Sequence, residues 1–76
     1  MKALVEYLVK SLADQPDQVA LAEHETDDSI LLELRISPDD VGKIIGKNGN
    51  TINAIRTILQ AAASSHKKRV KLEVVS

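Results

Sequence analysis

Apolar residues recur along the chain with two periods, and the switches between them mark the elements. Over residues 3–13, Leu4, Val5, Leu8, Val9 and Leu12 form one stripe at helical spacing, with Glu6, Lys10 and Asp14 facing away. Pro16 ends that helix, because the residue before a proline is pushed towards extended geometry. Residues 18–25 read as a short strand with Val19 and Leu21 on one face, and Thr26-Asp27-Asp28-Ser29 as a polar turn. Residues 30–36 alternate strictly: Ile30, Leu32, Leu34 and Ile36 point inwards, Glu33 and Arg35 outwards. The two strands and their turn predict an antiparallel hairpin.

Helical spacing returns after Ser37, the expected N-cap, with Pro38 at the first helical position and Asp39 and Asp40 opposing the helix dipole. This helix carries Val41, Ile44 and Ile45 and ends at about Ile45. A longer one, capped by Asn50 or Thr51, carries Ile52, Ile55, Ile58 and Leu59 and ends at about Ala63. Ser64 to Lys68 form a polar, basic connection. Residues 69–75 set Val70, Leu72 and Val74 against Lys71 and Glu73, a final strand. The order α-β-β-α-α-β places the chain in the α+β class. Its 76 residues make one small domain, which buries only about 60% of its unfolded surface, so its stability is marginal.

Composition narrows the chemistry. Without cysteine there is no disulfide, thiolate metal site or cysteine nucleophile, which fits the cytoplasm. The apolar runs fall short of a membrane span, and Glu6 interrupts the N-terminal segment too early for a signal peptide, so no membrane insertion is expected. The net charge of −1 conceals a division. Residues 1–40 hold three basic and ten acidic side chains, a net of −7; residues 41–76 hold seven basic and one acidic, a net of +6. Local field matters more than total charge in capturing a polyanion.

All three glycines, Gly42, Gly46 and Gly49, fall within the basic half, and such clustering suggests a local geometric need. Gly46-Lys47-Asn48-Gly49 lies between the two helices and ends where the second begins. Unpaired N–H groups and a partial positive charge suit a helix N-terminus to phosphate oxygens, and Lys47 adds a full charge. Gly42 to Asn48 superficially matches a nucleotide-binding P-loop. The glycine spacing is one residue short, Asn48 stands where a hydroxyl should hold Mg²⁺, and the loop follows a helix rather than a strand. His24 and His66 lack ligand spacing and read as surface histidines, so neither a metal site nor an enzyme is expected. No cofactor is called for. The single aromatic, Tyr7, sits on the first helix, which disfavours folds that stack bases on strand aromatics.

The uninterrupted Ile45-Gly46-Lys47-Asn48-Gly49-Asn50-Thr51-Ile52 resembles the signature of the KH domain, a module that binds single-stranded RNA or DNA. Residues 30–75 correspond to its minimal β-α-α-β motif, and the preceding α-β of residues 1–25 resembles the type II arrangement. That resemblance implies a three-stranded mixed sheet with helices packed on one face. The 30–36 strand would pair antiparallel with 18–25 and, through a right-handed helical crossover, parallel with 69–75. It further implies that Gly46, Lys47, Asn48 and Gly49 clamp a sugar-phosphate backbone over a footprint of about four nucleotides. Lys43, Ile45, Asn50, Ile52 and Arg56 would complete the RNA-binding set, with Ile36, Ile44, Ile45 and Ile52 as candidate groove walls, core packing being the commoner fate of each. The block from Val41 to Thr57 resembles the small stand-alone bacterial KH proteins of the KhpA type, over essentially the whole chain. This implies a cytoplasmic post-transcriptional regulator or RNA chaperone linked to cell elongation or division. It would act as a homodimer or with a KhpB/Jag-type partner. The rival reading is a dimerisation module, using the Ile and Ala surface of residues 50–63, that binds little or no RNA.

Overall fold

The computed structural model describes residues 2–65 and 67–75; His66, one of the two histidines discussed above, lies outside them. The elements are α1 (Lys2–Leu12), β1 (Ala20–Glu25), β2 (Ser29–Arg35), α2 (Val41–Ile45), α3 (Asn50–Ser64) and β3 (Arg69–Val75), with 3-10 turns at Pro16–Gln18, Pro38–Asp40 and Lys47–Gly49. The strands form one sheet in the order β1-β2-β3. β1 runs antiparallel to β2, with Leu21 opposite Leu34, and β3 runs parallel to β2, with Val70 beside Ile30 and Leu72 beside Leu32. This is the expected type II KH topology.

Period-2 alternation puts Ile30, Leu32, Leu34, Val70 and Leu72 on the face that the helices cover. Val5 and Val9 of α1, Ile44 of α2, and Ile52, Ile55, Leu59 and Ala63 of α3 close over them to make one core. The stripe expected on α1 is narrower than its spacing implied. Leu8 is half-buried, while Leu4 and Leu12 are 36% and 44% exposed. Leu4 lies roughly 100° around the helix from Val5, off the covered arc, and Leu12 is the helix's last residue.

The start of α2 departs from expectation more instructively. Ser37 caps the 3-10 turn Pro38–Asp40 rather than α2 itself: its hydroxyl accepts the Asp39 N–H at 3.3 Å, and the N-cap position of α2 falls to Asp40. Asp40, however, is only 1% exposed and does not merely oppose a dipole. Its two carboxylate oxygens accept the N–H groups of Asp14 and Gln15, each at 3.0 Å, and so fasten the end of α1 to the beginning of α2. At the other end of the sheet, Lys68 Nζ bonds Glu25 and the Thr26 carbonyl, and the Arg69 N–H donates to the Asp28 carbonyl at 3.0 Å, which secures β3 to the hairpin turn.

β3 is an edge strand, and α3 lies along its open side. Arg56 Nη2 donates to the Leu72 carbonyl at 3.2 Å, and Gln60 Nε2 to the Val70 carbonyl at 2.7 Å. By alternation the backbone groups of Val74 face the same way. A seam therefore runs between α3 and β3, and its Val74 end lies towards the loop that precedes α3.

Candidate nucleic-acid interface

α2 stops because Gly46 adopts φ 77°, ψ 174°, a combination open essentially to glycine alone. Its N–H still closes the helix on the Gly42 carbonyl at 2.9 Å. Space imposes the same choice: a Cβ on Gly46 would come within 2.7 Å of the Thr51 Cβ and 2.8 Å of the Thr51 backbone nitrogen. Asn48 (φ 56°, ψ 26°) and Gly49 (φ 76°, ψ 12°) then take left-handed conformations in succession, and the chain turns directly into α3. Asparagine and glycine are the residues that tolerate this region best. Gly42 has no such constraint; a Cβ there would meet nothing within 4 Å, so the need that glycine clustering suggested holds for two of the three.

Neither Asn50 nor Thr51 caps α3. The N-cap position belongs to Gly49, without a side-chain hydrogen bond, and the Thr51 side chain packs where a Cβ on Gly46 would sit. Within the loop the Gly49 N–H is used by the Gly46 carbonyl and the Asn50 N–H by the Lys47 carbonyl. The N–H groups of Lys47 and Asn48 find no acceptor in the described turn and cap bonds. Lys47 and Asn48 are exposed, and Lys47 makes no ion pair among the described residues. Unused donors, a lone ammonium group and the positive end of a 15-residue helix thus meet at one bare-backboned turn. That chemistry recognises anionic oxygens.

The other expected site residues divide. Asn50 is exposed beside the loop and Ile45 is half-buried next to it. Ile36, Ile44 and Ile52 are buried in the core, the commoner fate for such side chains, and Ile45 is half-buried. Lys43 is ion-paired to Asp14, which lies two residues beyond the end of α1 and whose N–H Asp40 also holds. Arg56 stands two turns along α3, with Nη1 3.4 Å from Asn53 Oδ1 and Nη2 on β3. Lys43, Lys68 and Lys71 are ion-paired with Asp14, Glu25 and Glu73, and Lys47 is the cation of the loop. A shallow depression of about 550 Å³ lies at the far end of the seam, lined by Ser29, Leu31, Gln60, Arg69, Lys71 and Glu73 among others, and includes none of the loop residues. His24, expected at the surface, is exposed and lies 2.7 Å from Glu33 on the open face of the sheet. No cluster of potential metal ligands occurs, and no helix is long and apolar enough to cross a membrane, among the described residues.

Fold and loop together define a type II KH domain: a β-α-α-β core with an N-terminal α-β addition, carrying Gly-x-x-Gly between its two central helices. A family model described as "KhpA/KhpB, KH domain" matches residues 2–74, and the chain belongs to that family. Among curated relatives it is 45% identical over 75 residues to the RNA-binding protein KhpA of Halalkalibacterium halodurans, covering 99% of each chain. It is 48% identical to that of Clostridium acetobutylicum, covering 99% of this chain and all of the other. It is 50% identical over 72 residues to that of Borreliella burgdorferi, covering 95% of this chain and 88% of the other. No solved structure matches it.

Proposed function

We propose that this chain is an RNA-binding module, not an enzyme, that holds single-stranded RNA through the turn from Gly46 to Gly49. The observation that carries the reading is the pair of N–H donors at Lys47 and Asn48 that have no acceptor in the turn and cap bonds of the described residues, beside the Lys47 ammonium and the start of α3. With bare glycines on either side, a sugar-phosphate backbone can lie against the turn, and bases then fall towards the α3–β3 seam. The relatives' description as RNA-binding proteins supports the same substrate. With one loop and about four nucleotides of footprint, binding is weak and salt-sensitive, at roughly 0.7 counterions released per phosphate. Useful affinity then comes from a second module.

That second module is a further copy of this chain or a KhpB/Jag-type partner. Ile58, 44% exposed, and the exposed Ala54 and Ala61 lie at i, i+4, i+7 spacing on the outer side of α3 and offer an apolar surface for it. The same stripe supports a second reading, in which dimerisation is the primary task and RNA is secondary. The resemblance to KhpA-type proteins supports placing the chain in the cytoplasm, as a post-transcriptional regulator or RNA chaperone acting on cell elongation or division.

Fluorescence anisotropy with a pool of short single-stranded RNAs at two salt concentrations tests the clamp, comparing the wild type with a Lys47→Asp, Asn48→Asp variant. Salt-sensitive binding that is lost in a folded variant is the expected outcome. Equal binding by both proteins refutes the clamp and favours the assembly reading.

A further inference from the structure

Asn53 is absent from the residues that the loop motif draws attention to, yet it lies where the loop meets the seam. It is exposed on α3, and its Nδ2 faces Gly49: a Cβ on Gly49 would lie 3.6 Å from it. Its Oδ1 faces Arg56 Nη1 at 3.4 Å. A guanidinium has donors only, so the group turned towards Arg56 must be the amide oxygen. The amide NH₂ is thereby directed towards the loop. Arg56 is itself held from behind by the Leu72 carbonyl of β3, so the orientation of the Asn53 amide is fixed by a relay that begins in the sheet.

We propose that Asn53 contacts the base of the nucleotide clamped at Gly49, and that Arg56 is the positioning residue that makes it a donor. Free asparagine amides read donors and acceptors alike by turning over. This one has its oxygen engaged and offers only N–H. It therefore favours a base with a keto oxygen at C4 of a pyrimidine or C6 of a purine, O4 of uracil or O6 of guanine. It disfavours one with an exocyclic amine there, N4 of cytosine or N6 of adenine. The contact is assigned to a base rather than a phosphate because Asn53 is a full turn deeper in α3 than the unspent loop donors, on the side where Arg56 reaches β3. The inference rests on the proposed clamp at Gly46 to Gly49 and adds base preference to it.

Anisotropy titrations of oligouridylate, oligocytidylate and oligoadenylate strands of equal length test this. The wild type should prefer oligouridylate by about threefold to tenfold, the range expected for one hydrogen bond. Asn53→Ala and Arg56→Ala should each erase the preference, and the double variant should do no more than either alone. Arg56→Lys should keep the salt dependence while weakening the preference. Asn53→Asp, with one carboxylate oxygen on Arg56 and the other towards the loop, should reverse the order in favour of oligocytidylate and oligoadenylate. Asn53 and Arg56 are both exposed, so these variants should melt within a few degrees of the wild type, which circular dichroism checks. A wild type indifferent to base, or a preference unchanged in Asn53→Ala or Arg56→Ala, overturns the assignment. If the Lys47→Asp, Asn48→Asp variant loses binding at the same time, the clamp stands and only the base contact falls. If that loop variant binds like the wild type, the clamp itself has failed.

Discussion

The five-residue helix α2 is bounded by two short polar turns that use their polar groups in opposite ways. At its start Asp40 is buried and both carboxylate oxygens are occupied by backbone N–H groups from the end of α1. At its end Lys47 and Asn48 are exposed and their N–H groups have no acceptor in the turn and cap bonds of the described residues. Both turns are short, charged and close to a helix terminus, and composition alone does not distinguish them. What separates a structural turn from a binding turn is whether its hydrogen-bonding capacity is consumed within the protein. A turn whose groups are satisfied holds elements together; one whose groups are left over is available to a ligand.

The sharpest way to break this contrast is Asp40→Ala. It removes two charge-assisted hydrogen bonds and leaves their donors without partners, so a loss of about 4 kcal/mol is expected in chemical denaturation followed by circular dichroism. That is a large share of the stability of so small a domain. Gly46→Ala comes next, at about 3 kcal/mol, because the backbone conformation and the Thr51 backbone both oppose a side chain. Gly49→Ala, with the same sign of φ but only an ordinary contact, to Asn53 Nδ2 at 3.6 Å, should cost only about 1 kcal/mol. The gap between these two glycines checks that steric approach, and not φ alone, defines the first of them. Gly42→Ala should raise stability by about 0.5 kcal/mol, since an unconstrained helical glycine is replaced by a better helix former. Smallest of all, Lys47→Asp with Asn48→Asp should move stability by less than about 0.5 kcal/mol in either direction while it abolishes RNA binding. If the loop pair proved as destabilising as Asp40→Ala, the distinction between the two turns would collapse.

Much of this was legible in the sequence wherever the determinants are local. Strict alternation in β2 and β3 reports burial on one face, and the observed strands begin within a residue of the expected positions. Clustered glycines reported a special backbone, because φ and close approach are properties of a few consecutive residues. The capping of α3 differs from the expectation for an equally local reason. Asn50 and Thr51 are good capping residues, but the left-handed turn at Asn48 and Gly49 places them already inside the helix. What sequence could not disclose are pairings across the fold. Asp40 meets Asp14 and Gln15 from 26 and 25 residues away, Lys43 meets Asp14 across 29, and Arg56 meets the Leu72 carbonyl across 16. A charge has the same appearance in a sequence whether it is spent or free. Asn53 had one faint signal, its i, i+3 spacing from Arg56 on a common helical face. The sheet bond that fixes Arg56, and with it the direction of the amide, needed the third dimension.

The coverage of β3 has a consequence for how the protein survives at high concentration. An edge strand of the composition Arg-Val-Lys-Leu-Glu-Val-Val is an open invitation to a neighbouring chain, since its outward carbonyls template further pairing. Here two of those carbonyls are already occupied from α3 by Arg56 and Gln60. Any incoming strand must first displace a guanidinium and an amide. Arg56 and Gln60 therefore obstruct strand addition along this edge of the sheet.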